Sequence, residues 1–493
     1  MKQAILLTIF LSFGFTFAYA QRIPPADSAI TTKHQVTVNG QRFAYTAKVG
    51  TQPVWDAAGK VLATVQYSYY TRDDIRDVAR RPLVISFNGG PGSASVWMEL
   101  AYTGPRLLNI DDEGYPVQPY GIKENPYSIL DVADIVYVNP INTGYSRILD
   151  EKADRNLFFG TNADIKYLAE WLNTFVTRHN RWTSPKYLIG ESYGTTRVSG
   201  LALELQNSQW MYLNGVMLVS PTDLGIKREG ALDAALRLPY FTATAWYHKK
   251  LEADLQQRDL EDLLAEVERY TLDIFLPAIA RGYSLSKAEQ EKVVQQVAKY
   301  TSLRKETISQ NNLDISTALF WKELLREDGY TIGRLDSRYL GIDLRDAGDR
   351  PDYNAELTSW LHTFTPAVNY YYWNDLNYKT DVKYNVFGPV HPWDRSNDNT
   401  GLNLRQAMAA NPFLHLMVQS GYFDGATDYF NAKYNMWQMD PSGKLSSRMS
   451  FKGYKSGHMM YLRKDDLIQA TDDVRQFIKK TAVQVNQSAK YEK

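Results

Sequence analysis

Four short apolar runs, separated by stretches with helical patterns, constrain the fold of this 493-residue chain more than any other feature. They are Pro82–Phe87, Val132–Val138, Tyr187–Ile189 and Gly215–Val219. Apolar residues recur at helical spacing in Asn162–His179 and Thr195–Gln206. Because strands that alternate with helices form a parallel sheet covered on both faces, we predict a doubly wound α/β core with its ligand site at the carboxyl ends of the strands.

The residues before this core follow a different pattern. From His34 to Tyr70, apolar and polar residues alternate, with turn sequences at Asn39-Gly40 and at Asp56-Ala57-Ala58-Gly59. Alternation interrupted by such turns predicts an antiparallel meander of short hairpins at the N-terminal side of the sheet.

A charged, helix-rich stretch interrupts the core after Gly215–Val219. In it, Ser286-Lys287-Ala288-Glu289 is a capping box that predicts a helix through Tyr300, and Tyr370-Tyr371-Tyr372-Trp373 belongs to an aromatic part that we interpret as irregular. Sheet-like sequence returns at Pro412–Gln419, and Lys464–Lys480 has the pattern of an amphipathic helix. We predict a catalytic core of residues 21–224 and 396–493 with an inserted cap at 225–395.

Residues 1–20 predict a signal peptide. Lys2 precedes the apolar run Ala4–Phe17, and the small-residue end Ala18-Tyr19-Ala20 places cleavage before Gln21. A transmembrane anchor is the alternative, but the run is short for a bilayer and no comparable run follows. We therefore expect an exported protein, periplasmic or secreted, without a membrane anchor.

Cysteine is absent, which excludes disulfides, thiolate metal sites and a cysteine nucleophile. An exported chain without disulfides is more typical of a bacterial periplasm than of an extracellular eukaryotic setting. Loss of Lys2 with the leader leaves 54 basic and 55 acidic residues, a net charge of −1. This balance does not favour a nucleic-acid partner.

The turn Gly190-Glu191-Ser192-Tyr193-Gly194 provides the candidate nucleophile. A serine hydroxyl reacts well only when a base removes its proton and a third group orients that base. In doubly wound hydrolases this serine lies on a sharp turn from strand to helix, where flanking glycines relieve crowding. Tyr187–Ile189 before the turn and the helical pattern after it match that context, so Ser192 is the predicted nucleophile.

The base and the acid should follow the serine in the order acid, then histidine. The histidines after Ser192 are His248, His362, His391, His415 and His458. The first three fall in the predicted cap and His415 lies inside an apolar strand, so His458, in a loop after a strand-like stretch, is the candidate base. Asp424, just past the strand that ends near Gln419, is the candidate acid. Asp428 is its competitor, and either could be an ordinary turn residue.

An oxyanion hole needs two backbone N–H donors aimed at the developing negative charge. The amide of Tyr193, directly after the nucleophile, can supply one. The glycine loop Asn88-Gly89-Gly90-Pro91-Gly92 follows an early strand and lets the backbone approach a substrate, with Gly90 the predicted second donor.

Together these residues resemble the serine carboxypeptidase family. Residues 88–95, Asn-Gly-Gly-Pro-Gly-Ser-Ala-Ser, are similar to its N-G-G-P-G-x-S-S signature, and residues 190–194 to its G-E-S-Y-[AG] motif. Residues 139–146 resemble D-x-P-x-G-x-G-[FY]-S, and Gly457-His458-Met459 matches at the histidine. The resemblance, to a bacterial member, implies an α/β-hydrolase fold and a triad of Ser192, Asp424 and His458. It also implies an oxyanion hole of Gly90 and Tyr193, and no cofactor.

The family's enzymes remove single residues from peptide C-termini, best in acid. The resemblance implies that Asn88 and Glu191 bind the free carboxylate of the substrate. A carboxyl group this close to another carboxylate must hold a proton, because like charges disfavour shared ionisation. Activity in acid would follow.

The sequence departs from the family at one expected position. A second glutamate usually lies two residues before a Gly-Pro pair, and counting back from Gly104-Pro105 gives Tyr102. Glu99 lies three residues earlier on the same helical face and is the candidate to compensate. Tyr422 also replaces a common acidic residue near Asp424. The pH optimum and the C-terminal selectivity therefore stay open.

The leading hypothesis is a serine-type carboxypeptidase acting on peptides. An esterase or acyltransferase with the same triad is the alternative, and a non-catalytic binding module is the third reading. No H-E-x-x-H spacing occurs, so the sequence gives no support to a metal-dependent mechanism. The oligomeric state stays open.

Overall fold

The computed structural model describes residues 23–396, 398–482 and 488–491. The predicted signal peptide lies outside the described residues. Within these ranges, no helix is both long enough and apolar enough to cross a bilayer.

The described strands are β1 (Ser28–Val38), β2 (Gln41–Trp55), β3 (Val61–Arg72), β4 (Leu83–Phe87), β5 (Arg106–Leu108), β6 (Ile122–Glu124), β7 (Asp134–Asn139), β8 (Arg147–Ile148), β9 (Lys186–Glu191), β10 (Gly215–Val219), β11 (Thr331–Ile332), β12 (Leu340–Gly341), β13 (His415–Gly421) and β14 (Met449–Tyr454). The described α-helices are α1 (Val96–Ala101), α2 (Thr161–Arg178), α3 (Tyr193–Ser208), α4 (Ala231–Leu236), α5 (Leu238–Tyr247), α6 (Ala253–Gln256), α7 (Leu260–Tyr270), α8 (Leu276–Arg281), α9 (Lys287–Thr301), α10 (Lys305–Gln310), α11 (Thr317–Glu323), α12 (Ala355–Tyr370), α13 (Thr400–Ala410), α14 (Tyr429–Met439) and α15 (Lys464–Thr481).

One large sheet organises the molecule. Its strand order is β1-β2-β3-β7-β4-β9-β10-β13-β14, and β8 pairs with β3 at one side. From β7 to β14 every neighbouring pair is parallel, whereas β1, β2 and β3 are antiparallel. The predicted doubly wound sheet with N-terminal hairpins is confirmed, and the four apolar runs of the sequence are β4, β7, β9 and β10.

The N-terminal hairpins are longer than predicted. Strands β1 to β3 contain 11, 15 and 12 residues and turn at the expected places, Asn39-Gly40 and the segment around Gly59. Side chains in the first part of β2 alternate between exposed and buried, but from Val49 to Val54 they are buried on both faces. The prediction of short hairpins was therefore wrong, because these strands continue past the solvated edge into the covered sheet.

Each face of the sheet carries its own apolar layer. Successive residues of β4 point to opposite faces, so Val84 packs in one cluster with Trp97 and Trp360, and Ile85 packs in the other with Trp171. Helices α1, α12 and α15 cover the first face, and α2, α3 and α13 cover the second. This two-sided covering explains why the central strands are apolar throughout.

The residues predicted as a cap have two packing environments. Helices α4 to α11 enclose an apolar cluster of their own, which includes Phe241 and Phe320 with ring centroids 4.2 Å apart. Residues beyond 338 instead join the core of the main sheet, with Trp360 and Phe364 both buried there. The boundaries of the domains stay a prediction.

The aromatic stretch interpreted as irregular is helical. Helix α12 runs from Ala355 to Tyr370, and a π-helical turn continues it from Tyr371 to Asp375. Pro366 lies inside the helix, and a proline in that position normally argues against one. Burial of apolar side chains at helical spacing, Trp360, Phe364, Ala367 and Val368, stabilises the helix despite it. The predicted capping box at Ser286 does form and opens α9.

Candidate active site

Ser192 lies at the junction between β9 and α3. Its backbone has φ 57° and ψ −128°, a conformation that is strained for a residue with a Cβ. A Cβ on Gly190 would collide with the backbone of Gly194, and one on Gly194 would lie 2.8 Å from the carbonyl oxygen of Phe87. The two glycines are thus required for a turn this sharp. The side chain of Ser192 is half-buried and borders a cleft with a volume of about 420 Å³.

His458 and Asp424 meet at the same edge of the sheet. Asp424 follows β13 and His458 follows β14, and His458 Nδ1 lies 2.7 Å from Asp424 Oδ2. The backbone of His458 is held by two hydrogen bonds, because its N–H donates to Leu335 and its carbonyl accepts from the Ser220 hydroxyl, each at 2.7 Å. His458 and Ser192 line one cleft, and no other histidine of the described residues does.

Asp424 is positioned as an ionised carboxylate. It is completely buried and accepts hydrogen bonds from the backbone of Ala426 at 2.8 Å and from the hydroxyl of Thr427 at 2.7 Å. Burial opposes its ionisation, but the charge and hydrogen bond of His458 outweigh it and keep the pKa of Asp424 below 3.8. Burial likewise lowers the pKa of His458, yet the attraction to Asp424 raises it above 6.5. Such a pair can hold an imidazolium during proton transfer.

Asp428, the competing acid, has another contact. Its carboxylate caps α14 by accepting the N–H of Asn431 at 3.0 Å, and burial raises its pKa to about 6. No hydrogen bond joins it to His458 in the described structure. The geometry therefore favours Asp424 as the residue that orients His458.

The glycine loop after β4 packs directly against the turn that holds Ser192. A Cβ on Gly89 would collide with the amide nitrogen of Tyr193 and would lie 2.8 Å from the Cβ of Ser192. Gly90 has φ 105°, a region that favours glycine, and it lines the cleft together with Tyr193. Tyr193 is the first residue of α3, so its N–H has no intrahelical acceptor. The loop and the helix start thus lie together where two amides could face a substrate oxygen.

Glu191 borders the cleft beside Ser192 and is only 4% exposed. Its Oε1 accepts a hydrogen bond from Asn88 Nδ2 at 3.1 Å, and its Oε2 accepts one from the hydroxyl of Tyr461. Burial raises the pKa of Glu191 to about 7, although the charge of His458 and the two hydrogen bonds act in the opposite direction. Asn88 is 1% exposed and does not line the cleft itself. The cleft thus contains a carboxyl group that holds a proton in acid.

Glu99 does not compensate for Tyr102. Its two oxygens accept hydrogen bonds from Tyr70 at 2.6 Å and from Tyr372 at 3.1 Å, inside the core and away from the cleft. Sharing a helical face with Tyr102 does not bring Glu99 to the cleft, so this expectation was wrong. Spacing along the chain did not show that every residue of α1 is buried and that Glu99 contacts tyrosines of the core.

The second partner of Glu191 is Tyr461, which sequence reasoning missed. The ring of Tyr102 stacks on the ring of Tyr461, with centroids 4.7 Å apart and an interplanar angle of 11°. The hydroxyl of Tyr102 donates to Gln419 at 2.8 Å, which fixes the ring. Tyr461 lies only three residues after His458, and this proximity to the candidate base was the one sequence feature that could have pointed to Tyr461. A tyrosine hydroxyl, supported by a second tyrosine, thus contacts Glu191.

Among the described residues, no group of three or more histidine and acidic side chains has an arrangement that could hold a metal ion.

Comparison with known proteins connects this geometry to a family. The family model described as serine carboxypeptidase matches residues 60–476, most of the chain. The chain belongs to the serine carboxypeptidase family. The match includes the glycine loop, the Ser192 turn, Asp424 and His458.

Similar proteins of this family include curated plant relatives and a solved yeast structure. The chain is 26% identical to serine carboxypeptidase-like 7 of Arabidopsis thaliana over 36% of this chain and 40% of that protein. It is 28% identical to serine carboxypeptidase-like 12 of the same plant over 30% and 33%. These matches span about two fifths or less of the relatives' own length. Kex1 of Saccharomyces cerevisiae, described as a prohormone-processing carboxypeptidase, superposes with a TM-score of 0.50 at 15% identity, covering 88% of this chain and 91% of Kex1. The likeness confirms the predicted α/β-hydrolase fold.

Proposed function

We propose that this serine carboxypeptidase family member removes the last residue of a peptide through an acyl-enzyme. The main support for this proposal is the position of Glu191 at the cleft next to Ser192, together with the burial that raises the pKa of its carboxyl group to about 7. In its protonated form it can donate a hydrogen bond to the terminal carboxylate of a peptide. That contact would bring the last peptide bond to Ser192, and an internal bond has no such carboxylate to offer.

The catalytic steps follow from the roles we propose for the site. The Ser192 Oγ attacks the carbonyl carbon while His458 Nε2 accepts its proton, and Asp424 holds the opposite nitrogen of the ring. The amides of Gly90 and Tyr193 stabilise the negative oxygen of the tetrahedral intermediate. His458 then gives its proton to the leaving amine. Water, deprotonated by the same imidazole, hydrolyses the acyl-enzyme.

The test compares an N-blocked dipeptide carrying a free C-terminus with its C-terminal amide. We expect kcat/KM for the acid to exceed that for the amide by at least about 10-fold, since only the acid can bind Glu191. Equal rates, or a preference for an ester without a carboxylate, would favour the esterase or acyltransferase reading. An added amine or alcohol acceptor would then separate these two.

Ser192→Ala should abolish hydrolysis and labelling by a fluorophosphonate. Ser199→Ala is the matched control, because Ser199 is buried on the same helix, its hydroxyl has no hydrogen-bond partner and it does not line the cleft. Failure of the probe to label the folded wild-type protein would favour a binding module instead.

We further infer that the protein is exported and acts in the periplasm or outside the cell. The leader-like pattern of residues 1–20 supports this proposal. N-terminal sequencing of the mature protein from a bacterial host should begin at Gln21, and an intact Met1 would contradict it.

A further inference from the structure

We propose that the cleft beside Ser192 selects peptides with an acidic side chain next to the bond that is cut, through the guanidinium groups of Arg228, Arg334 and Arg395. All three arginines line this cleft, which has a volume of about 420 Å³. The inference rests on the proposed peptidase function and adds a substrate class to it.

Within the described ranges none of the three arginines forms an ion pair at 4.0 Å or less. Arg228 and Arg334 do act over a longer distance on buried carboxyls, because burial raises the pKa of Asp428 and of Glu356 and the charges of these two arginines, respectively, act to lower it. The arginines of the interior differ from them, as in the ion pair of Arg197 with Asp164 at 2.6 Å. Unpaired guanidinium groups that face a cleft remain available to a ligand, and their planar N–H pairs match the geometry of a carboxylate.

Arg228 is the most strongly positioned of the three. Its Nη1 donates to Asn435 Oδ1 at 2.6 Å, and Asn435, only 2% exposed, donates in turn to the carbonyl of Thr222 at 2.8 Å. The Nε of Arg228 is buried and has no hydrogen-bond partner. Leaving a charged donor unpaired in a buried place is costly, so the hydrogen-bonding capacity of this guanidinium is not satisfied within the described structure.

Arg334 lies next to the catalytic machinery. It directly precedes Leu335, whose carbonyl accepts the backbone N–H of His458 at 2.7 Å. Its side chain is exposed, and its positive charge is among the influences that lower the pKa of His458. A carboxylate on a residue beside the scissile bond would therefore lie within the field of this guanidinium.

The acidic residues of the cleft do not cancel these charges. Asp223 accepts the N–H of Gly225 at 3.2 Å, and Asp398 accepts the N–H and the hydroxyl of Thr400 at 3.2 and 2.9 Å. Both carboxylates are thus held by their own loops. Because Glu191 is protonated below about pH 7, three guanidinium groups face two carboxylates in mild acid.

The test uses two sets of N-blocked dipeptides at pH 6, where a glutamate side chain is ionised. One set places Glu or Gln before the scissile bond, and the other places Glu or Gln after it. We expect kcat/KM for Glu to exceed that for Gln by about tenfold in one of the sets. If the dipeptides are hydrolysed but the Glu-to-Gln ratio of kcat/KM is one or less in both sets, the inference is overturned and the proposed function is not. No hydrolysis of any dipeptide would overturn the proposed function and the inference with it.

Substitutions identify the residues responsible. Arg334→Gln and Arg395→Gln change exposed side chains, so the variants should fold, and each should lower the Glu-to-Gln ratio by about threefold or more. Arg228→Gln should lower it further, because its guanidinium is fixed. Arg269→Gln, at an exposed arginine outside the cleft, is the control and should leave the ratio unchanged. Equal losses on Glu and Gln substrates would show that the arginines do not read the side chain, and would overturn the inference.

Discussion

Glu191 and Glu99 have similar chemical surroundings in two regions of the molecule. Both are buried, burial raises the pKa of each to about 7, and both accept a hydrogen bond from a tyrosine hydroxyl. Glu191 borders the cleft beside Ser192, whereas Glu99 is enclosed by Tyr70 and Tyr372. A raised pKa therefore reports burial, and access to the cleft decides whether the carboxyl can act on a substrate.

The same contrast separates two aspartates that lie four residues apart. Asp424 is bonded to His458, whose charge and hydrogen bond overcome the effect of burial and keep the pKa of Asp424 below 3.8. Asp428 serves as the cap of α14, and burial raises its pKa to about 6. In each pair one carboxyl lines the cleft or is bonded to a residue that lines it, and the other serves the fold.

The largest effect should separate the aspartates. Asp424→Asn should lower kcat/KM by about 10⁴-fold, because an amide favours the wrong tautomer of His458. Asp428→Asn should stay within about threefold of wild type, since asparagine caps helices as well as aspartate does. Steady-state kinetics on one dipeptide acid provides the measurement. Equal losses in the two variants would contradict the assignment of Asp424.

The next effect should separate the glutamates. Glu191→Ala should lower kcat/KM for a dipeptide acid by about 100-fold, because the terminal carboxylate loses its partner, and should change the rate on the matching amide far less. Glu99→Ala should leave the acid-to-amide ratio unchanged. A similar fall of this ratio in both variants would remove the distinction between the two regions.

Glu99 should instead control stability, in a pH-dependent way. Its pKa is about 7 in the folded protein and near 4.5 when exposed, so the stability it contributes is complete below about pH 4.5 and is lost as pH rises through 7. The full change in the free energy of unfolding from this one group is on the order of 3 kcal/mol. Thermal unfolding should show a smaller loss between pH 5 and pH 8 in Glu99→Gln, which cannot ionise, than in wild type. Parallel curves for the two proteins would contradict this.

The smallest effect concerns the tyrosine beside Glu191. Tyr461→Phe removes a hydrogen bond to Glu191 and should lower the acid-to-amide ratio by about three- to tenfold. Tyr102→Phe keeps the stacked ring and removes a hydroxyl that is bonded to Gln419 and to the carbonyl of Ala470 but not to Glu191, so it is the matched control. An equal fall in both variants would show that the loss comes from packing.

The parts of the fold predicted from the sequence are those set by local patterns. Apolar runs placed β4, β9 and β10, and glycine spacing placed the turn at Ser192, because strand burial and backbone crowding act over a few residues. Helix α12 was not predicted, since the burial that stabilises it despite Pro366 depends on distant side chains.

Prediction of the site was limited in the same way, because local motifs can be recognised in the sequence whereas contacts between distant segments cannot. Motifs made Ser192 and Glu191 candidates, and chain order made His458 the candidate base. Tyr461 was missed because the family motifs direct attention to Asn88 and to the position of Tyr102, and neither motif contains Tyr461. The hydroxyl that contacts Glu191 comes from a segment 270 residues further along the chain. Only the folded arrangement brings the two together.

The role of protonated Glu191 can be measured through the acid-to-amide ratio of kcat/KM from pH 5 to pH 9 in wild type, Glu191→Gln and Glu99→Gln. Titration of His458 changes kcat/KM for both substrates in the same way, so its effect cancels in the ratio. In wild type and Glu99→Gln the ratio should fall as pH rises through about 7, by about tenfold per pH unit above it, because only protonated Glu191 can donate to the terminal carboxylate. In Glu191→Gln the amide donates at every pH, so the ratio should stay flat. If the ratio in Glu191→Gln fell with pH as it does in wild type, or if the ratio in Glu99→Gln stayed flat, Glu191 would not be the group that binds the terminal carboxylate.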